Sequence, residues 1–302
     1  MKNFLNNSDF NFIKKFKICG YSSLILILIG FSFFIFKGPE LGIDFKGGIE
    51  IIIDTGDDKS NIDNIKSKLN EFFDKNGINV SNIKSYGIKK MQILVEDSDL
   101  SLSSFRELIS SYEKNELSLL SFNKIGSTIS NELTTNAMQA LFIAILLIGF
   151  YIIIRFDWYS SIGSIIAIIH DILIVMSLLV IFNYQFDINI IAAFLIIIGY
   201  SLNDTIVVFD RIRENLDEFS NMDLEKIINL SINETLSRTT ITSLTTLFVL
   251  LSLLIFGGNS LSGLSFALVI GIITGTYSSI FIATPVMMNL RIKYFNEENI
   301  KE

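Results

Sequence analysis

The chain has 302 residues, half of them hydrophobic, a mean hydropathy of +0.51 and only two prolines. Its apolar residues come in long blocks, which excludes an ordinary soluble globular domain. The formal charge of −7 resides mostly in 37–134 and after Arg211, so it describes solvated surfaces and gives no reason to expect nucleic acid.

About 20 apolar residues cross a hydrocarbon core of about 30 Å. Six blocks reach that length: Ile18–Phe36, Ala137–Ile154, Ser160–Phe182, Ile188–Phe209, Thr239–Phe256 and Leu264–Leu290. The first follows Lys14, Lys15 and Lys17 and has no small-x-small cleavage site after it, so it reads as an uncleaved anchor. Cys19 is the sole cysteine, which leaves no internal disulfide. Basic residues cluster in the N-terminal tail, at Arg155, from Arg211 to Arg238 and from Arg291 onward, whereas the connections Asn183–Asp187 and Gly257–Gly263 have none. That bias places both termini in the cytoplasm and segment 37–134 outside.

The outer segment opens with the turn-rich run from Gly38 to Gly48. Ile49–Asp54 reads as a strand, and Asn61–Asn76 as a helix with Ile62, Ile65, Leu69, Phe72 and Phe73 on one face. Val80–Tyr86 and Met91–Val95 alternate as strands about Gly87, Ser101–Tyr112 is a short helix, and Leu117–Phe122 a final strand. The order β-α-β-β-α-β predicts a ferredoxin-like α+β domain with no metal or nucleophile site. The fold class is therefore an α-helical polytopic membrane protein with a small extracytoplasmic domain. Its parts are 1–36 (tail and first span), 37–134 (outer domain), 135–290 (five-helix bundle with an amphipathic cytoplasmic loop at 210–238) and 291–302 (cytoplasmic tail).

Ionisable groups inside spans are costly and point to function. The third span carries His170-Asp171, either a pair satisfied by neighbouring polar groups or part of a proton path. The fourth carries Asn203-Asp204, with no basic residue on its own helix before Arg211. Asp204 is the strongest candidate for a titrating group. Met222–Thr235 reads as an amphipathic helix along the cytoplasmic face. It leads to Arg238, which either snorkels or pairs with an acid such as Asp204, and to Thr239 and further threonines able to hydrogen-bond across helices. In the last span Gly263, Ala267, Gly271, Gly275, Ser279 and Ala283 recur every four residues, a stripe that lets another helix approach closely.

Several of these pieces together resemble the SecF family of bacterial protein-export membrane subunits. They are Gly42-Ile43-Asp44-Phe45-Lys46-Gly47-Gly48, His170-Asp171, the run from Gly199 to Asn215, Thr235-Leu236-Ser237-Arg238-Thr239 and Gly275-Thr276-Tyr277-Ser278-Ser279. Lys46 departs from the Thr or small polar residue usual there. The resemblance implies half of a resistance-nodulation-division machine in the bacterial inner membrane. It implies pairing with a separate SecD-like subunit, association with the SecYEG channel and with complexes that include YajC, and use of the proton-motive force to complete polypeptide translocation. By position, Asp204 matches the family's proton-carrying acid and Arg238 its partner arginine, while Gly42, Asp44, Phe45, Gly47 and Gly48 form the link between membrane and outer domain. No cofactor, metal or catalytic residue is implied. Two rivals remain: a small-molecule or lipid exporter of the same superfamily, and an intramembrane aspartyl protease using Asp171 and Asp204 as a dyad.

Overall fold

The structure is a computed structural model that describes residues 10–55, 62–87, 89–96, 100–111, 117–219 and 221–301. Among the described residues, six helices are long and apolar enough to cross a membrane. In chain order they are α1 (Phe16–Lys37), α5 (Ser127–Arg155), α6 (Trp158–Ile181), α7 (Ile188–Glu218), α8 (Leu224–Phe256) and the run from Asn259 to Tyr294. That last run comprises α9 (Asn259–Ser278), a π-turn (Ser279–Ala283) and the start of α10 (Thr284–Lys301). Pro285 brings no N–H to the turn that follows, and the Thr284 hydroxyl bonds to the Ser279 carbonyl, 2.7 Å away.

Between α1 and α5 lies the α+β domain. It begins with the short α2 (Ile43–Lys46) and continues as β1 (Gly48–Asp54), α3 (Ile62–Lys75), β2 (Val80–Ser85), β3 (Lys90–Val95), α4 (Leu102–Ser110) and β4 (Ser118–Ile125). The strands form one sheet in the order β2-β3-β1-β4, with β1 antiparallel to both β3 and β4. Period-two alternation puts Ile49, Ile51 and Ile53 on one face, each fully buried beneath Leu69, Phe73 and Phe105 of the two helices. Each buried isoleucine contributes about 1.5–3 kcal/mol. The other face carries Glu50, Ile52, Lys84 and Gln92, and turns toward the ends of the membrane helices. The expected endpoints Asn61 and Tyr112 lie outside the described residues.

Three boundaries differ from the sequence reading. Helix α5 starts at Ser127, so 127–134 belong to a long helix and not to the α+β domain. The amphipathic stretch Met222–Thr235 is no separate surface helix, because α8 runs unbroken from Leu224 to Phe256. Likewise α7 continues to Glu218, so segment 210–238 is a helical hairpin rather than a loop. Its polar lining holds it together: Asn215 is fully buried, and its amide donates to Ser231 Oγ (2.9 Å) and Glu234 Oε2 (2.7 Å), which also accepts from Arg211 Nε at 2.7 Å. Apolar periodicity cannot register such buried amides.

The small-residue stripe of α9 packs against α7. A Cβ on Gly271 would lie 2.3 Å from Ile197 Cγ1, one on Gly275 3.0 Å from Ser201 Cβ, and one on Gly263 3.6 Å from Ile190 Cδ1. Ala267 is fully buried in the same seam. Ser279 and Ala283, in the π-turn, are fully buried, and the Ala283 carbonyl faces Gly163 of α6, 2.7 Å from where a Cβ would stand.

Candidate functional site

Asp204, only 1% exposed, sits on α7 where α8 and α9 converge. Thr276 of α9 donates its hydroxyl to Oδ2 at 3.0 Å, and Ser243 of α8 approaches the same oxygen at 3.4 Å. Ser243 and Thr276 are themselves 2.6 Å apart. One carboxylate thus ties three helices together through two hydroxyls, with no ion pair to it among the described residues.

Asp171, on α6, forms a second knot. Its Oδ2 accepts from Ser201 of α7 (2.7 Å) and Ser278 of α9 (2.8 Å), while Oδ1 faces His170 Nδ1 at 3.0 Å. The His170 ring stacks on Tyr277 at 6.2 Å, and its Nε2 is buried without a partner. The Tyr277 hydroxyl donates to the Cys19 carbonyl at 2.6 Å and accepts from Ser23, so this knot reaches α1. Hydroxyls donating to both carboxylates offset part of the cost of placing acids in hydrocarbon.

The other expected members of the path are not gathered here. Arg238 is exposed on α8; among the described residues it forms no ion pair with Asp204, although its charge acts on that carboxyl from a distance. Asn203 is exposed on a different face of α7, because adjacent helical positions point about 100° apart. Thr239 is buried, but its hydroxyl bonds to the Thr235 carbonyl of its own helix at 2.8 Å. Conversely, sequence reasoning did not single out Ser243, Thr276, Ser201 or Ser278 as partners. The signal for two of them was present: Thr276 and Ser278 stand beside Gly275 and Ser279 of the stripe, so close packing of the stripe brings their hydroxyls to Asp204 of α7 and Asp171 of α6.

The link between membrane and α+β domain ends on the helix that carries Asp204. Asp44 Oδ2 accepts from the Ile188 N–H (2.9 Å) and Asp187 Oδ1 from that of Ile190 (3.1 Å), so two carboxylates satisfy the first turn of α7. The Gly42 N–H donates to the Phe186 carbonyl at 2.7 Å, and a Cβ at Gly42 would meet Gln185 Nε2 at 2.9 Å. Phe45 packs into the apolar cluster of α6, α7 and α9. Gly47, with φ +74°, and Gly48, with φ +113°, turn the chain into β1 through backbone that other residues rarely adopt. Lys46 is exposed, which explains why the unusual residue is tolerated there.

Burial raises the Asp187 carboxyl above its usual range and Asp44 adds to the rise, against the bonds from Asn189 and Ile190. An acid raised in the folded state contributes stability at low pH that is lost as pH climbs through the folded value. Asp187→Asn, which keeps an N-capping oxygen, is therefore expected to gain thermal stability relative to the parent as pH rises from about 4. Melting temperature of the solubilised protein across that range checks it; a difference independent of pH would contradict it.

Residues 105–293 match the family model described as protein export membrane protein SecD/SecF, C-terminal. The protein translocase subunit SecF of Rhodothermus marinus is 39% identical over 297 residues, covering 95% of each chain. That of Calditerrivibrio nitroreducens is 39% identical, covering 92% of this chain and 93% of that one. The crystal structure of SecDF, a translocon-associated membrane protein from Thermus thermophilus, superposes with a TM-score of 0.86 at 33% identity. The match covers 95% of this chain and 39% of that one, so this chain spans about two-fifths of the SecDF polypeptide.

Proposed function

Since the chain belongs to the SecD/SecF family of protein-export membrane proteins, we propose that it is a SecF-type, non-enzymatic subunit that couples proton flow to a late step of polypeptide translocation. The observation that carries this reading is the burial of Asp204 between hydroxyls from α8 and α9, with no ion pair to it among the described residues. A protonated Asp204 suits this packing. An ionised one requires a counter-charge or water, and Arg238 lies five residues before Ser243 on α8, about 7.5 Å along the axis. Loss of the proton therefore favours a different placement of α8 against α7 and α9, and a change of charge biases two packings. Since α7 is continuous from Ile188 to Asp204, about 24 Å, movement at the acid reaches Asp44 and the α+β domain through one stiff rod.

The βαββαβ order and the β2-β3-β1-β4 sheet support a ferredoxin-like outer domain, and the six spans support half of a resistance-nodulation-division machine. Asn203, Arg238 and Thr242 are exposed on membrane helices, where lipid serves polar groups poorly. A SecD-type bundle covers that face in our reading, consistent with the SecDF chains that this fold matches. SecYEG, with YajC-containing complexes, supplies the emerging polypeptide, lipid surrounds the remaining faces, and both termini are cytoplasmic. His170-Asp171 serves in the same reading as a second proton-accepting knot joining α6 to α1. The protease rival loses ground because Asp171 and Asp204 bond to different hydroxyls and no hydrogen bond joins the two carboxyls. An exporter of small molecules fits neither the SecF relatives nor the SecDF match.

The test is export of a secreted reporter into vesicles containing this chain and SecD, with the proton gradient intact or collapsed by an uncoupler. Stimulation that vanishes with the gradient supports the reading. Equal stimulation without a gradient overturns it.

A further inference from the structure

The open face of the sheet does not rest directly on the membrane helices. A cleft of about 670 Å³ separates them. Glu50, Gln92, Ser121 and Asn123 roof it, while Gln185, Asp187, Asn189 and Asn259 line its floor. The two sides meet at a few polar contacts: Gln92 Nε2 donates to Gln185 Oε1 at 3.0 Å, Tyr86 and Ser260 share a hydrogen bond at 3.2 Å, and Lys84 pairs with Glu40.

The geometry points to this cleft as a binding site for a short extended stretch of polypeptide backbone carrying basic side chains; the inference rests on the export reading above. Three features select that ligand. First, six amide side chains line the cleft (Gln92, Asn123, Asn183, Gln185, Asn189 and Asn259), and an amide offers donors and an acceptor in one plane, which is what successive backbone N–H and C=O groups require. Second, the charge balance is acidic: the carboxylates of Asp44, Glu50 and Asp187 line the cleft, whereas among the described residues the Lys84 ammonium is paired with Glu40 and that of nearby Lys37 is bonded to Asn183. That disfavours a phosphate or an acidic segment and favours lysine or arginine. Third, sugar rings are usually held on an exposed aromatic face; of the two tyrosines in the lining, Tyr184 is stacked on Phe266 at 4.5 Å, and Tyr86 is half-buried with its hydroxyl tied to Ser260.

Placement supports the same conclusion. Asp44 and Asp187, on the floor, also satisfy the N-terminus of α7, so a chain lying in the cleft touches the residues through which Asp204 would act. Movement of α7 then changes the height of the cleft and its hold on the chain.

Photo-crosslinking in vesicles with the full chain, its SecD partner and a stalled, exported reporter tests this. A benzoylphenylalanine at Asn123 or Gln185 is expected to capture the reporter, and one at Lys68 on the far helical face is not. Ser121→Trp should remove most of the capture at Gln185. A lysine-bearing reporter segment should be captured about fivefold better than a glutamate-bearing one, the size of a single partly screened charge contact. Capture only of the SecD partner or of a glycan, or equal capture from Lys68, overturns the cleft assignment. If export in those vesicles still depends on the proton gradient, that failure leaves the export reading intact; export that ignores the chain altogether overturns both.

Discussion

Asp204→Asn is expected to leave a folded, assembled subunit that no longer stimulates export in response to a proton gradient. Asparagine has nearly the same shape, and its carbonyl oxygen still accepts from the Thr276 hydroxyl that now reaches Asp204 Oδ2 at 3.0 Å. What it lacks is a proton to exchange. Stimulation should fall to the level seen without the chain, whatever the size of the gradient. Unchanged melting temperature and unchanged co-purification with the partner separate this from misfolding. Asp204→Leu makes the contrast, since it removes the carboxylate oxygen that Ser243 and Thr276 share, leaving them each other and the Ile272 carbonyl, and should lower stability as well. Full gradient-dependent stimulation by the asparagine variant would end the proposed coupling.

The second large effect is structural. Gly271→Leu should destabilise the bundle by about 3 kcal/mol or more, at the upper end of overpacking costs. Its first side-chain carbon alone would lie 2.3 Å from Ile197 Cγ1 and 2.4 Å from Cδ1, in the closest part of the seam between α7 and α9. Those helices cannot separate locally without pulling Thr276 from Asp204 and Ser278 from the knot at Asp171, so activity should fall together with stability. Gly199→Ala is the control: a Cβ there meets nothing within 4 Å, and alanine is the better helix former. Thermal unfolding of the two variants in the same detergent checks the contrast, and a tolerated leucine at 271 would show that the seam opens freely.

Much of this was legible from residue patterns. Spans of about 20 apolar residues announce themselves because lipid admits little else. The strands of the α+β domain showed in the alternation of Ile49, Ile51 and Ile53, and its helices in the spacing of Leu69, Phe72 and Phe73. The four-residue stripe of α9 foretold a close helix contact, although not that α7 would be the partner. The helical extension of α7 and α8 escaped notice because Asn215, Ser231 and Glu234 look like surface residues until their mutual hydrogen bonds are seen.

Sequence alone established that Asp204 must be explained, since a carboxylate amid apolar residues is costly wherever its helix packs. Only the tertiary structure decided its company. Ser243 and Thr276 lie 39 and 72 residues away along the chain and come together because small residues let α9 approach α7. Arg238, nearer in sequence than Thr276, stays outside that contact. Hydrophobicity is a property each segment carries with it. Hydrogen-bond partnership depends on the rotation and separation of helices, which packing of the whole bundle sets.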